Sequence, residues 1–123
     1  MCRLIQTEGT MMAKTFWFTT ETLGAGDEDL GRLLMKNFVY SLARGDQAPA
    51  RLMFMNGGVR LTCTGSPVLD DLLAMHEAGV IVKSCGTCLD FLGLKDELAV
   101  GEIGDMAGSA GVLAGDADVV TVA

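Results

Sequence analysis

The sequence is short of several things, and each shortage excludes something. Only two of its 123 residues are proline, Pro49 and Pro67, and half are hydrophobic, which is the composition of a globular domain with enough apolar material for a core. No uninterrupted apolar run reaches the roughly 18 residues a membrane helix needs, so no transmembrane span is expected. The opening "MCRLIQTEGTMMAK" has one arginine but lacks the apolar centre of a secretory leader. A cytoplasmic protein is the expectation. Basic residues are few and scattered: nine Lys and Arg stand against 16 Asp and Glu, for a net charge of −7. Without a basic stripe, binding to nucleic acid or to an anionic membrane surface is not expected. Internal repeats and low-complexity segments are missing too, and the length suits one domain. Residues 1–13 read as a flexible N-terminal extension, with Met11 and Met12 just ahead of the first strand-like run, and 14–123 as the domain.

What is present alternates between two periods. "KTFWFTT" (Lys14–Thr20) is aromatic and β-branched, a strand. A glycine-containing loop then leads to Asp27, Glu28 and Asp29, acids suited to the positive end of a helix. Leu30, Leu34, Phe38 and Leu42 recur every four residues, with Leu33 beside them, as one apolar helix stripe that Gly45 and Pro49 end. "RLMFM" (Arg51–Met55) is a second strand, broken by Asn56-Gly57-Gly58. "VRLTCTG" (Val59–Gly65) fits either a strand or an ordered loop. Ser66-Pro67 has the form of a helix start, with Val68, Leu69, Leu72 and Leu73 facing inward up to Gly79. "VIVKS" (Val80–Ser84) is the third strand, Leu98–Ile103 holds a short fourth, Asp105 caps a helix over Met106–Ala114, and Asp118–Val122 is the last strand. Strands that are continuous apolar runs, separated by helices, predict an α/β fold with a mostly parallel sheet, helices on both faces and Val80–Ser84 inside it.

Chemistry concentrates in "VIVKSCGTCLDFLG" (Val80–Gly93), where Cys85 and Cys88 form a C-x-x-C at the end of a strand. The pair can hold a metal, form a disulfide or work as thiols. In a parallel sheet, reactive groups gather at the carboxyl ends of strands. If a helix starts at Gly86, its unpaired N–H groups favour a thiolate at Cys85. A structural zinc site needs four ligands, so Cys63 and His76 would have to complete the set. His76 otherwise reads as a surface or boundary residue of the second helix. A thioredoxin-like redox pair normally follows an early strand and faces a proline loop, whereas this pair comes after both prolines. Cys63, in a glycine-rich loop after the second strand, ends at the same sheet edge if the strands are parallel; it is either a third thiol of the pocket or a loop thiol without a role. Cys2 reads as idle.

The segments "TLGAGDEDLGRLLMKNFVYSL" and "MNGGVRLTCTGSPVLDDLLAMHEAGVIVKSCGTCLDFLGLKDELAVGEI" together resemble the DsrE-like domain. They look most like the C-terminal domain of the YedF-type, sulfurtransferase-like selenium metabolism proteins. The most specific pieces are "GVRLTCTGS" and "SCGTCLDFLGL", and the resemblance runs from about Lys14 to the last residue. It implies a three-layer flavodoxin-like (DsrE-like) α/β fold with a mostly parallel sheet, a homo-oligomer (trimer or hexamer), and sulfur carried as a cysteine persulfide. In sulfur-relay members the carrier cysteine stands eight residues before a glycine, which here gives Cys85 and Gly93. Basic residues usually precede that glycine; here the positions hold Phe91 and Leu92. YedF-type proteins also carry a small N-terminal sulfur-carrier-like domain with a Cys-Pro motif, and this sequence has no Cys-Pro. It is therefore expected to be a stand-alone homologue or a piece of such a protein.

The reading that follows is a thiol-based sulfur (or selenium) carrier, sulfurtransferase-like, that exchanges sulfur with donor and acceptor proteins. Cys85 is then the carrier and Cys88 the resolving thiol, or the reverse, with Cys63 as a possible third thiol. No cofactor and no metal is called for. The competing reading is a structural or regulatory subunit of a sulfur-relay assembly, without chemistry of its own.

Overall fold

The computed structural model describes residues 13–123 of the chain. Cys2, the two methionines at 11 and 12, and nearly all of the expected N-terminal extension lie outside the described residues.

Five strands form one sheet: β1 (Thr15–Phe18), β2 (Arg51–Phe54), β3 (Ile81–Cys85), β4 (Glu102–Gly104) and β5 (Val119–Val122). Their order is β4-β3-β2-β1-β5, and every neighbouring pair is parallel. The third strand is thus interior, between β2 and β4, as its apolar run predicts. Four helices connect the strands: α1 (Glu28–Arg44), α2 (Leu69–Glu77), α3 (Gly86–Phe91) and α4 (Met106–Ala114). Among the described residues no helix is long and apolar enough to cross a membrane.

Register decides the two faces. Phe16, Leu52 and Val82 align across β1, β2 and β3, as do Phe18, Phe54 and Ser84. Alternate residues of a strand share a face, so these line one side of the sheet. There α1 packs Phe38 edge-on to Phe16, with ring centroids 5.9 Å apart, and Phe18 stacks on Phe54 at 4.8 Å. Leu72 and Met75 of α2 complete this core. Each fully buried large side chain here contributes about 1.5–3 kcal/mol. The opposite face carries Trp17, Met53 and Lys83 in one register row, and it is α4 that stands over it. Helices on both faces make the three layers of an α/β sandwich.

Two details correct the sequence reading. Only the second half of the stripe Leu30, Leu34, Phe38 and Leu42 packs against the core, through Phe38 and Leu42. Gly31, Met35 and Val39 are buried, whereas Leu30 and Leu33 are more than half exposed. The helix is turned by about one residue because the β1–α1 loop crosses it at Gly31: the N–H of Leu23 donates to the Gly31 carbonyl at 3.0 Å, and a Cβ on Gly31 would stand 2.8 Å from Cβ of Thr22. Only a glycine face admits that crossing, so the glycine rather than the leucines sets the rotation. Helix α2 starts at Leu69, not at Pro67. The Ser66 hydroxyl accepts the N–H of Val68 at 3.2 Å, closing a turn that precedes the helix instead of capping it. Its inner face is accordingly Val68, Leu72 and Met75, with Leu73 exposed.

Other expectations hold. Asp27 caps α1 by accepting the N–H of Leu30 at 2.9 Å, and Asp105 caps α4 by accepting that of Gly108 at 2.7 Å. The undecided segment after β2 is a 3-10 turn, Asn56–Thr62, followed by a single bridge between Cys63 and Leu98.

Candidate functional site at the carboxyl edge of the sheet

Because β1, β2 and β3 run parallel, their carboxyl ends deliver three connections to one edge. The 3-10 turn after β2 lies across that edge. Gly58 makes this possible: a Cβ there would stand 2.2 Å from the carbonyl oxygen of Phe18, so no other residue lets the turn settle onto the end of β1. Asn56 opens the turn in the left-handed region, at φ 49°. That conformation is uncommon outside glycine but tolerated by asparagine.

The turn is riveted to β3 from beneath. Thr62 donates its hydroxyl to the Val59 carbonyl at 2.8 Å, and its oxygen lies 2.8 Å from the Ser84 hydroxyl. With the only Thr62 proton committed to Val59, Ser84 is the donor of the second bond. Both groups are buried, so this polar pair is satisfied where water cannot reach it.

One residue after Ser84, β3 ends at Cys85, which also occupies the cap position of α3. Helix α3 closes with reciprocal bonds: the N–H of Leu94 donates to the Leu89 carbonyl at 2.7 Å, and that of Gly93 to Asp90 at 3.1 Å. Gly93 has φ 71°, the left-handed conformation this closure requires. The glycine on which the resemblance depends is therefore also the stop of the helix that carries the second cysteine.

Cys85 and Cys88 differ in their surroundings. Cys85 is only 5% exposed, whereas Cys88 is half-buried. The Cys88 sulfur accepts the backbone N–H of Asn56 at 3.1 Å, and Cys85 is the neighbouring thiol that acts on it. Burial pushes the Cys88 thiol above its ordinary range; the Asn56 N–H pulls the other way and the neighbouring Cys85 adds to the rise. Neither cysteine is in a disulfide.

Cys63 is placed differently. It is buried, its thiol donates to the Val59 carbonyl at 3.2 Å, and burial again raises its pKa, an effect the neighbouring Thr62 hydroxyl partly offsets. Thr62, Glu97 and Arg60 are the groups that act on it, not the other two thiols. His76 is half-buried, with Nε2 3.5 Å from a Glu102 carboxylate oxygen. Among the described residues no three His, Cys, Asp or Glu side chains converge as a metal-binding group.

Sequence reasoning did not pick out Asn56, Thr62 or Ser84 as parts of this site. "NGG" after a strand signalled a tight turn, but nothing in the sequence said whose sulfur its first N–H would meet.

One step beyond Cys88 along the edge, Phe91 is 89% exposed. It lies three residues from Cys88, one helical turn away, so the two share a side of α3.

No protein-family model matches the sequence, and no curated protein matches it either. Among solved structures, the ychN protein from E. coli superposes with a TM-score of 0.66 at 23% identity, over 89% of this chain and 99% of that one. The fold is DsrE-like. In this chain the parallel order puts the C-x-x-C across the junction of β3 and α3, beside the Asn56 turn that follows β2.

Proposed function

We propose that the protein carries sulfane sulfur, or selenium, as a persulfide on the Cys85–Cys88 pair and exchanges it with donor and acceptor proteins. One observation carries the reading: a half-buried sulfur, at Cys88, held under a backbone N–H one helical turn from a second, nearly buried thiol. The DsrE-like fold and the motifs "GVRLTCTGS" and "SCGTCLDFLGL" support it.

The exposure difference sets the order of events, with Cys88 rather than Cys85 as the loading thiol. The Cys88 thiolate attacks the outer sulfur of a donor persulfide; the donor S–S bond breaks, a new one forms, and the donor leaves as a thiolate. The Asn56 N–H stabilises the anion on the receiving side. An acceptor thiolate then takes the outer sulfur by the same exchange. Alternatively Cys85 attacks the inner, Cys88 sulfur and expels hydrosulfide. The sulfane sulfur is reduced, the two cysteines are oxidised to a disulfide, and an external thiol restores them. Such a cycle requires a reducing compartment, consistent with a cytoplasmic protein. Cys63, bonded to Val59, has a supporting part at most.

In the same reading the chain works as a homo-oligomer, a trimer or hexamer. Leu30, Leu33, Leu34 and Tyr40 on the outer side of α1, and the uncharged helix α4, are apolar surface that a second copy would cover. Light scattering at micromolar concentration checks it; a monomeric mass sinks it.

The alternative, a structural or regulatory subunit, draws on one observation: the Cys88 pKa is raised, which lowers its thiolate fraction at neutral pH. Intact mass after incubation with a persulfide donor separates the two. A carrier gains about 32 Da per sulfur, Cys88→Ser removes the gain, and Cys85→Ser retains loading but loses sulfide release. A mass unchanged in the wild type leaves the subunit reading.

A further inference from the structure

On the sheet face opposite α1 and α2, the strands and α4 enclose a cleft of about 320 Å³. Its floor comes from two adjacent strands: Arg51 and Met53 of β2, Ile81 and Lys83 of β3. Register sets Arg51 beside Ile81 and Met53 beside Lys83, so the two cations stand diagonally with apolar side chains between them. Val112 extends the apolar lining, and Gly108 and Ser109 of α4 close it with little bulk.

The charges there are unevenly satisfied. Lys83 lies 3.6 Å from Glu102, a carboxylate shared with His76. Asp105, on the rim, is engaged by the N–H of Gly108. Arg51, like Arg60, has no carboxylate within ion-pair distance among the described residues, whereas Arg32 has Glu28 and Asp29 and Arg44 has Asp71. An unpaired guanidinium in a chain of net charge −7, set at one end of an apolar floor, is a fork for an oxyanion with a surface beside it for an apolar body.

We propose that this cleft binds a small organic anion, an apolar carboxylate, with its head on Arg51 and its body between Met53, Ile81 and Val112. The site is separate from the thiol pair and does not rest on the persulfide reading.

Trp17 is the single tryptophan and pairs in register with Met53, so it lies on the same face one strand over. Its indole N–H is buried without a hydrogen-bond partner, and its emission will respond to a change in the neighbouring packing. The full chain is titrated with hexanoate, with 1-hexanol and with inorganic phosphate, following Trp17 emission and the methyl NMR signals of Met53, Ile81 and Val112. Hexanoate should bind saturably, and the alcohol and phosphate at least about tenfold more weakly. Arg51→Met should weaken hexanoate by about tenfold or more and abolish its advantage over the alcohol; Lys83→Met, a second variant in case the first unfolds, should weaken it several-fold. The proposal is overturned by a wild type that shows no saturable response, as when a second copy fills the cleft. It is also overturned by Arg51→Met binding as well as wild type, by 1-hexanol matching hexanoate, or by phosphate matching it, since the apolar floor would then have no part.

Discussion

The backbone N–H of Asn56, first residue of the turn after β2, donates to the sulfur of Cys88, in the helix after β3, at 3.1 Å. Residues 32 positions apart are joined because two parallel strands end side by side. The bond favours the anionic sulfur, while burial and Cys85 oppose it with larger effect.

From that balance comes a pH dependence. With its pKa raised, Cys88 should react with iodoacetamide at neutral pH more slowly than a free cysteine, and its rate should climb through a midpoint above that of a free cysteine. Cys85, nearly buried, should react more slowly than Cys88 across the range. Peptide mapping of the alkylated sites over a pH series measures both; a Cys88 midpoint below that of free cysteine contradicts the description.

Asn56 has two jobs, a left-handed backbone and a donor. Asn56→Gly keeps both and should leave stability and the Cys88 profile nearly unchanged. Asn56→Val forces a β-branched residue to φ 49° and should cost about 1–3 kcal/mol. If the turn shifts as a result, the N–H leaves the sulfur and the Cys88 midpoint should rise further. Urea denaturation and the alkylation profile provide the two readings.

Gly58→Ala should be among the most damaging single changes, because the added carbon meets the Phe18 carbonyl. A cost of about 3 kcal/mol is expected. Gly57→Ala, whose added carbon would meet nothing nearer than the Thr20 Cα at 3.8 Å, serves as the control in the same denaturation experiment.

Thr62→Val takes the acceptor from the buried Ser84 hydroxyl and should cost about 1–3 kcal/mol. Adding Ser84→Ala should recover part of the loss, since no orphaned hydroxyl then remains. Additive costs in the double-mutant cycle would show that the two hydroxyls are not coupled.

Stability should fall in alkali. The folded-state pKa values of Cys63 and Cys88 are raised, so above about pH 8.5 the unfolded chain releases thiol protons that the folded chain retains. The stabilisation is complete below the unfolded value and is lost as pH rises toward the folded values. Cys63→Ala should lower stability at neutral pH through its lost packing, yet flatten the alkaline slope; an unchanged slope would remove Cys63 from this account.

Much of this molecule is legible in its sequence because its strands are buried on both sides. Continuous apolar runs at Arg51–Met55 and Val80–Ser84 announce a parallel sheet, and Asp27 and Asp105 mark their helix starts by side-chain chemistry that acts within three residues. The C-x-x-C at a strand end is likewise a local fact. The rotation of α1 was not legible: leucines at four-residue spacing define a stripe, but the loop crossing at Gly31 decides which stripe faces the sheet. Nor could spacing tell that Cys63 bonds to Val59 in the interior while Cys88 meets Asn56. Local hydrogen bonds and apolar periodicity are written in neighbouring residues. The relative burial of three thiols, and the cations gathered in the cleft from β2 and β3, depend on which strands the fold sets side by side, and that is decided only when the whole sheet assembles.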